Sequence, residues 1–185
     1  MDAAMDVFAT KGYAATTVDD IARAAGASAA TFYLHFRRKV DVLVASVEDE
    51  ARSAYSAAGA LWPAGQPHTR EELRSWAERL FMHWKQLGPS QRVMGQARLV
   101  EPELGAFHAR RLQEGVEYWE GFLRDVGARG GSRRRAEAAV LNALFVGLFE
   151  MWIVAEVPLE QGPLADLVAD ELWRRVERFG GGRRS

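Results

Sequence analysis

Two short amphipathic segments separated by Gly26-Ala27 constrain the fold of this chain more than any other feature. In the first segment, Thr17 and Asp20 have the spacing of a capping box, which satisfies free backbone amides at the start of a helix. Apolar side chains then repeat at helical spacing, at Val18, Ile21, Ala22 and Ala25. The pattern predicts a short helix that begins after Thr17 and ends before the glycine.

The second segment, residues 28–36, predicts another short helix. Ser28 is a favourable N-cap, so we expect the helix to begin at Ala29. Phe32 and Phe36 lie four residues apart and share one face, which we interpret as core. No aspartate or glutamate occurs between residues 24 and 40, so the positive end of this helix is open to an anion such as phosphate. Two short helices joined by a tight turn are typical of a helix-turn-helix.

A longer series of residues surrounds these two segments. In order and without a gap, the series is Phe8-Ala9, Gly12-Tyr13, Thr16-Thr17-Val18, Ile21-Ala22, Ala25-Gly26-Ala27-Ser28, Thr31-Phe32-Tyr33, Phe36, Lys39 and Leu43. This series resembles the DNA-binding domain of the TetR-type transcriptional repressors. The resemblance covers about the first quarter of the chain, and the remainder is similar to the family only in length and helical character.

The resemblance implies which residues contact double-stranded DNA, with the helix from Ala29 in the major groove. The base-reading positions of the family correspond to Ser28, Ala29, Ala30, Thr31 and Tyr33. The phosphate-binding positions correspond to Thr17, Tyr33, His35 and Lys39. Hydroxyl, imidazole and ammonium groups are suitable partners for phosphate oxygens, whereas alanine offers only methyl contacts to thymine. We therefore expect limited direct readout with a contribution from DNA shape.

Composition restricts the class of protein without identifying a function. The chain has 185 residues, of which 48% are hydrophobic and 26% charged, which is ordinary for a globular protein. The net charge of -1 gives no argument for nucleic-acid binding, so that argument rests on the local cluster Arg37-Arg38-Lys39. The absence of cysteine excludes disulfides and thiolate metal sites and fits the cytoplasm, and the N-terminus has no secretory signal pattern.

The rest of the chain predicts further helices and no strand, so the expected fold class is all-α. After a first helix over residues 1–11, the expected later helices span about 38–59, 69–88, 90–100, 102–127, 134–156 and 164–179. A Pro- and Gly-containing breaker at 62–67 and a flexible basic loop at 127–135 separate some of them. The loop could be a second nucleic-acid contact, although a solvated linker is the favoured interpretation.

We place the domain boundary in the fourth helix, which both halves share. The expected domains are a helix-turn-helix DNA-binding domain over residues 1–47, a helical ligand-binding and dimerisation domain over 48–179, and a disordered tail over 180–185.

An apolar run from Val140 to Val157 predicts a buried helix. Asn142, Glu150 and Glu156 interrupt the run, so we favour burial in a large helical interface over a membrane span. A chain of this size can bury such a helix by pairing with a second copy. The resemblance also implies a homodimer, since members of the family dimerise through a four-helix bundle of their last two long helices.

By the same resemblance, the second half should hold a pocket for a small apolar or aromatic effector. Candidate residues are the aromatics at helical spacing and a few polar groups, namely Trp76, His83, Trp84, Arg98, Phe107, His108, Trp119, Asn142, Phe145 and Phe149. Aromatics at this spacing are more often core than pocket. Asn142 within an apolar run requires a partner, which could be ligand, backbone or the other subunit.

Two alternatives stay open beside a ligand-responsive repressor that binds a palindromic operator as a homodimer. One is a helical enzyme or ligand-binding protein without DNA binding. It has no positive support, since no metal-binding histidine spacing, phosphate loop or nucleophile motif occurs, and no catalytic residue, metal or cofactor is predicted. The other is a dimeric DNA-binding protein without a ligand.

Overall fold

The computed structural model describes residues 1–59 and 69–180, and all regular structure in these ranges is helical. The helices are α1 (Asp2–Lys11), α2 (Val18–Ala24), α3 (Ala29–His35), α4 (Lys39–Gly59), α5 (Arg70–Arg98), α6 (Leu104–Asp125), α7 (Gly131–Phe149) and α8 (Gln161–Gly180). A π-helical turn, Glu150–Val154, follows α7. The predicted fold class is therefore confirmed. The predicted breaker at residues 62–67 and the tail after Gly180 lie outside the described residues.

The chain divides into two compact units. The N-terminal unit consists of Met1–Ser56 and Gln86–Ala106, and the C-terminal unit consists of Ala57–Lys85 and Phe107–Ser185. Residues 86–106, which sequence analysis placed in the second domain, thus pack with the N-terminal segment. The assignment of DNA binding to residues 1–47, and of ligand binding and dimerisation to residues 48–179, stays a prediction.

The core of the N-terminal unit is built by the apolar faces that the sequence pattern indicates. Ile21 and Ala22 of α2 and Phe32 of α3 are buried, while Phe36 is half-buried. Tyr13 between α1 and α2 and buried residues of the neighbouring helices complete this core, including Phe8, Val40, Leu43, Met94 and Leu104. The short helices α2 and α3 are too short to be stable alone, so this packing holds them in place.

Helix α5 corrects one sequence prediction. We expected it to end at Gly88-Pro89 and a separate helix to follow, but α5 continues through Pro89 to Arg98. The proline ring lies on the exposed side of the helix, and the neighbouring carbonyl of Leu87 accepts a hydrogen bond of 2.8 Å from the Ser90 hydroxyl. The Ser90 side chain thus donates a hydrogen bond to the backbone in the turn where Pro89 has no amide hydrogen to donate.

The basic segment 127–135 is also different from the prediction. Helix α7 begins at Gly131, so three of the arginines lie in its first turns rather than in a flexible loop. Arg135 pairs with Glu120 of α6 at 2.8 Å, and Arg133 pairs with Glu137 at 3.4 Å. These carboxylates offset the unfavourable placement of cations at the positive end of a helix.

Helix α7 is buried on one side only. Leu141, Asn142 and Phe145 face the core, whereas Val140 is 62% and Leu144 is 44% exposed in the single chain. The segment Gly131–Val154 is long and apolar enough to cross a membrane by length and composition alone. A core helix of a soluble protein has the same properties.

Asn142 finds its partners within the C-terminal unit. Its Nδ2 donates a hydrogen bond of 3.2 Å to the carbonyl of Leu112. The same amide group lies against Gly115, so that a Cβ there would come within 2.9 Å of the Asn142 Cγ. Gly115 therefore provides the space in which the buried amide reaches the α6 backbone.

We expect Gly115→Ala to lower the free energy of unfolding by about 2 kcal/mol, because the new methyl group must displace the Asn142 amide. Gly121→Ala on the same helix is the matched control, since a Cβ there would meet only the end of the Arg124 side chain at 3.8 Å. The control should be neutral or stabilising by up to about 1 kcal/mol. Urea unfolding followed by tryptophan fluorescence measures both, and equal stability of the two variants would contradict this account of Gly115.

Candidate nucleic-acid interface

Two side-chain caps define where α2 and α3 begin. The Thr17 hydroxyl accepts a hydrogen bond of 3.2 Å from the Asp20 amide, and the Asp20 carboxylate accepts one of 2.9 Å from the Thr17 amide. The Ser28 hydroxyl accepts a hydrogen bond of 3.1 Å from the Thr31 amide. Both predicted N-caps are therefore confirmed, and each sets the direction of the helix that follows.

The Asp20 carboxylate also pairs with the Lys11 ammonium of α1. Hydrogen bonds from Lys11 and Thr17 hold the pKa of Asp20 well below its usual value. A lowered pKa in the folded state means that the ionised cap contributes stability above about pH 4, and that this contribution is lost as the pH falls further. The start of α2 is thus tied to α1 throughout the neutral range.

The outward face of α3 carries most of the residues predicted to contact bases. Ser28, Ala30, Thr31, Tyr33 and His35 are exposed, and Ala29 is half-buried. The hydroxyls of Ser28 and Thr31 lie 3.0 Å apart and hydrogen bond to each other. The structure therefore brings these side chains together on one surface that contains no carboxylate.

One residue of this face was missed by sequence reasoning. Leu34 is 81% exposed and follows Tyr33, which is 58% exposed. Its position three residues after Thr31 places it on the same side of the helix, and this spacing is the signal that could have identified it. A large apolar side chain at this exposure can contact a thymine methyl group.

Lys39 differs from the other predicted contact residues. Its half-buried ammonium donates to the carbonyls of Tyr13 at 2.7 Å, Thr16 at 2.8 Å and Ala14 at 3.2 Å. It also lies 4.5 Å from the centre of the Tyr13 ring. All three donors of the ammonium thus serve the segment between α1 and α2, and the predicted phosphate contact of Lys39 stays a prediction.

Tyr13 connects this segment to the last turns of α5 and to the residues that follow it. The buried Tyr13 donates its hydroxyl to Glu101 at 2.8 Å, and its amide donates to the Gln96 side chain at 3.0 Å. Burial and then the bond to Glu101 raise the pKa of the Tyr13 phenol far above its usual value, so the phenol stays neutral. Arg38 adds an ion pair of 2.6 Å with Glu103.

The three members of the predicted basic cluster, Arg37-Arg38-Lys39, therefore differ in whether the protein itself binds their side chains. Arg38 and Lys39 are engaged by the protein, whereas the exposed Arg37 has no side-chain partner among the described residues. Arg37 is consequently the member of the cluster that is most available to a phosphate.

The predicted effector residues are divided between the two units, and their role in ligand binding stays a prediction. Arg98 is exposed and belongs to the N-terminal unit, and Phe107 and His108 are half-buried in the C-terminal unit. The five other aromatics form a connected cluster, with ring centres 4.4 Å apart for Trp119 and Phe145. The further ring pairs of this cluster are Trp76–Trp119, Trp76–Phe145, Trp84–Phe145 and Trp84–Phe149.

His83 is the candidate with the clearest capacity to bind a ligand. Its Nε2 is buried and has no hydrogen-bond partner among the described residues. Burial lowers the pKa of His83 below its usual value, so the ring is neutral at pH 7. No group of three or more potential metal ligands occurs in residues 1–59 and 69–180.

Comparison with known proteins gives a match in the same region. Residues 1–45 match the family described as bacterial regulatory proteins of the tetR family. The resemblance drawn from residues 8–43 is therefore confirmed over the helix-turn-helix. No curated protein matches the chain.

Solved structures extend the likeness over more than nine tenths of the chain. A TetR-family transcriptional regulator from Mesorhizobium loti has a TM-score of 0.67 and 22% identity, covering 96% of this chain and 92% of its own. The TetR-family regulator PfmR from Thermus thermophilus has a TM-score of 0.64 and 23% identity, covering 94% and 96%. The fatty acid degradation regulator FadR from Bacillus halodurans has a TM-score of 0.64 and 22% identity, covering 92% and 90%. The chain thus has the fold of TetR-family transcriptional regulators.

The role of Lys39 in the fold can be tested without DNA. We expect Lys39→Met to lower the free energy of unfolding by about 2 kcal/mol, because it leaves three carbonyls without their donor. Arg37→Met removes the same charge from an exposed side chain and should change stability by less than about 0.5 kcal/mol. Thermal unfolding followed by circular dichroism compares the two variants. If both unfold at the wild-type temperature, Lys39 has no structural role.

Proposed function

We propose that the protein is a DNA-binding transcriptional regulator that inserts α3 into the major groove of its operator. The observation that carries the proposal is the exposed face of α3, where Thr31, Tyr33, Leu34 and His35 extend from a helix fixed by caps and core packing. The match of residues 1–45 to a family of bacterial regulators supports the same function over catalysis. A regulator of this kind works in the cytoplasm and needs no cofactor or membrane.

The proposed readout is limited in chemical range. Ala29 and Ala30 offer methyl contacts, while Ser28, Thr31 and Tyr33 each offer a hydroxyl group. No arginine on α3 can form the bidentate contact to guanine that gives the strongest discrimination. Sequence-dependent DNA shape therefore contributes to operator choice.

Phosphate contacts would fix the orientation of α3. The proposed groups are Thr17, Tyr33 and His35, which are exposed, together with Arg37. Lys39 contributes to phosphate binding only if its ammonium gives up a carbonyl partner or if its field acts without direct contact.

We further propose that the regulator is a homodimer on a near-palindromic operator. The proposal is supported by apolar side chains of α7, the π-helical turn and α8 that are exposed in the single chain, namely Val140, Leu144, Met151 and Leu167. A symmetric pair would place two copies of α3 in successive major grooves, about 34 to 36 Å apart.

The proposed activity is repression that a small molecule relieves. The ring cluster around Trp119 and Phe145 suggests that this small molecule is apolar or aromatic. The unpartnered His83 would be a polar contact for it. One structural relative is named a fatty acid degradation regulator, which agrees with an apolar effector. The ligand would act only through its different affinity for the DNA-binding and the released conformations.

Gln96, Glu101 and Glu103 offer a route for this change. Gln96 and Glu101 bind Tyr13, and Glu103 binds Arg38, all within the N-terminal unit. These three residues lie between the part of α5 and the part of α6 that belong to the C-terminal unit. A shift of either helix on ligand binding would therefore strain bonds to the helix-turn-helix.

Selection of bound sequences from a pool of random duplexes tests the proposed function. We expect an inverted repeat with half-site centres about 10 base pairs apart, since the two α3 helices must meet the same face of the duplex. No enriched sequence would overturn DNA recognition, and a single unrepeated half-site would overturn the symmetric dimer.

On the selected duplex, we expect Tyr33→Ala to weaken binding about tenfold, which corresponds to about 1.4 kcal/mol. Leu99→Ala is the control. Leu99 is 86% exposed and belongs to the same unit, but it directly follows α5 and lies outside the helix-turn-helix. Fluorescence anisotropy at fixed salt measures both variants. Equal affinity of Tyr33→Ala and wild type would remove Tyr33 from the interface.

A further inference from the structure

An arginine-lined cleft lies at one end of the C-terminal unit, and the proposed regulatory function does not use it. The cleft has a volume of about 610 Å³ and is formed by the ends of α6 and α8, the segment 126–130 and the start of α7. Arg124, Arg129, Arg133 and Arg178 line it, together with Ala128 and Phe179. We call this site the arginine cleft.

The positive charge of the arginine cleft is only partly balanced. Glu137 accepts both Arg133 at 3.4 Å and Arg178 at 3.5 Å, and Asp125 lies 3.8 Å from Arg124. Arg129 has no carboxylate partner among the described residues. Four guanidinium groups thus share two carboxylates in a chain whose net charge is -1. This excess is local to the cleft.

Two glycines shape the backbone of segment 126–130 at the arginine cleft. Gly127 and Gly130 have φ angles of 98° and 86°, a region that other residues rarely adopt. At Gly127 a Cβ would also come within 2.9 Å of the Phe179 carbonyl, so this glycine allows the segment to lie directly on the end of α8. Arg129 and Arg178 both line the cleft at this place.

We propose that the arginine cleft binds a small anion with two or more linked phosphate groups. Guanidinium groups bind phosphate oxygens through paired hydrogen bonds, and several such groups around one cleft suit a multiply charged ligand better than a single carboxylate. The two uncompensated positive charges favour an anion that carries more than one negative charge. The volume lies in the range of small-molecule sites, and Phe179 supplies an apolar wall beside the charges.

A concave site favours a compact anion over the backbone of DNA. The start of α7 adds to the attraction, since Gly130 provides no side-chain cap for the amides of its first turn. These amides are supplementary, and the four arginines carry the binding.

Inorganic pyrophosphate is the probe for this site. Isothermal titration calorimetry of the full chain should give saturable binding with one pyrophosphate per chain, and orthophosphate should bind at least about tenfold more weakly. Amide signals of Gly127, Gly130 and Gly131 should shift during the titration. Absence of saturable binding, or shifts confined to other parts of the chain, would overturn the proposal.

Matched double variants separate the cleft from general attraction of anions. We expect Arg129→Ala with Arg178→Ala to weaken pyrophosphate binding at least about tenfold. Arg110→Ala with Arg174→Ala removes the same charge from exposed positions on α6 and α8 outside the cleft, and should change affinity less than about twofold. Equal weakening by both double variants would mean that the arginine cleft is not a specific site.

Arg129→Glu guards against a folding defect, because it breaks no ion pair within the described residues. We expect it to abolish pyrophosphate binding at an unchanged unfolding temperature. If the cleft variants lose affinity for the selected duplex but keep pyrophosphate binding, the cleft contacts DNA and the proposal fails.

Discussion

The bonds of the Lys39 ammonium hold the helix-turn-helix in place. Three carbonyls from the irregular segment between α1 and α2 meet at this one group, and the ring of Tyr13 lies beside it. Because the segment ends at Thr17, the N-cap of α2, its position decides the direction of α2 and hence of α3. The presentation of α3 to a partner therefore depends on a half-buried cation that is bonded to the protein's own backbone.

Charges near α3 are divided between support and recognition. Lys39 and Arg38 stabilise the fold, the first through carbonyls and the second through Glu103, so that Arg37 and the hydroxyl groups of α3 are available for DNA. Residues 1–47 carry five acidic and five basic residues, so an attraction to a polyanion depends on where the cations lie and not on the net charge of this segment. The same division of charges predicts that affinity for DNA depends more on close contacts than on long-range electrostatic attraction.

Local sequence signals identified the short helices, but they could not reveal contacts between residues that are far apart in the chain. The caps at Thr17 and Ser28 fixed the starts of α2 and α3, because a capping bond joins residues only three apart. Pro89 suggested a break that does not occur, since the tertiary packing around Ser90 sustains α5. The role of Lys39 depends on residues more than twenty positions away, and no spacing rule reveals such a contact. The basic run at 133–135 likewise has a partner distant in sequence, since Arg135 pairs with Glu120 of α6.

Hydroxyl-radical footprinting of the protein on its selected duplex tests the central claim most directly, because it measures side-chain exposure at α3 itself. Tyr33 and Leu34 are 58% and 81% exposed without DNA, and both should lose most of their reactivity in the complex. Met82 of the C-terminal unit, 56% exposed, and Leu99, 86% exposed, should keep theirs. Unchanged reactivity of Tyr33 and Leu34 in a saturated complex would show that α3 is not the element that contacts DNA.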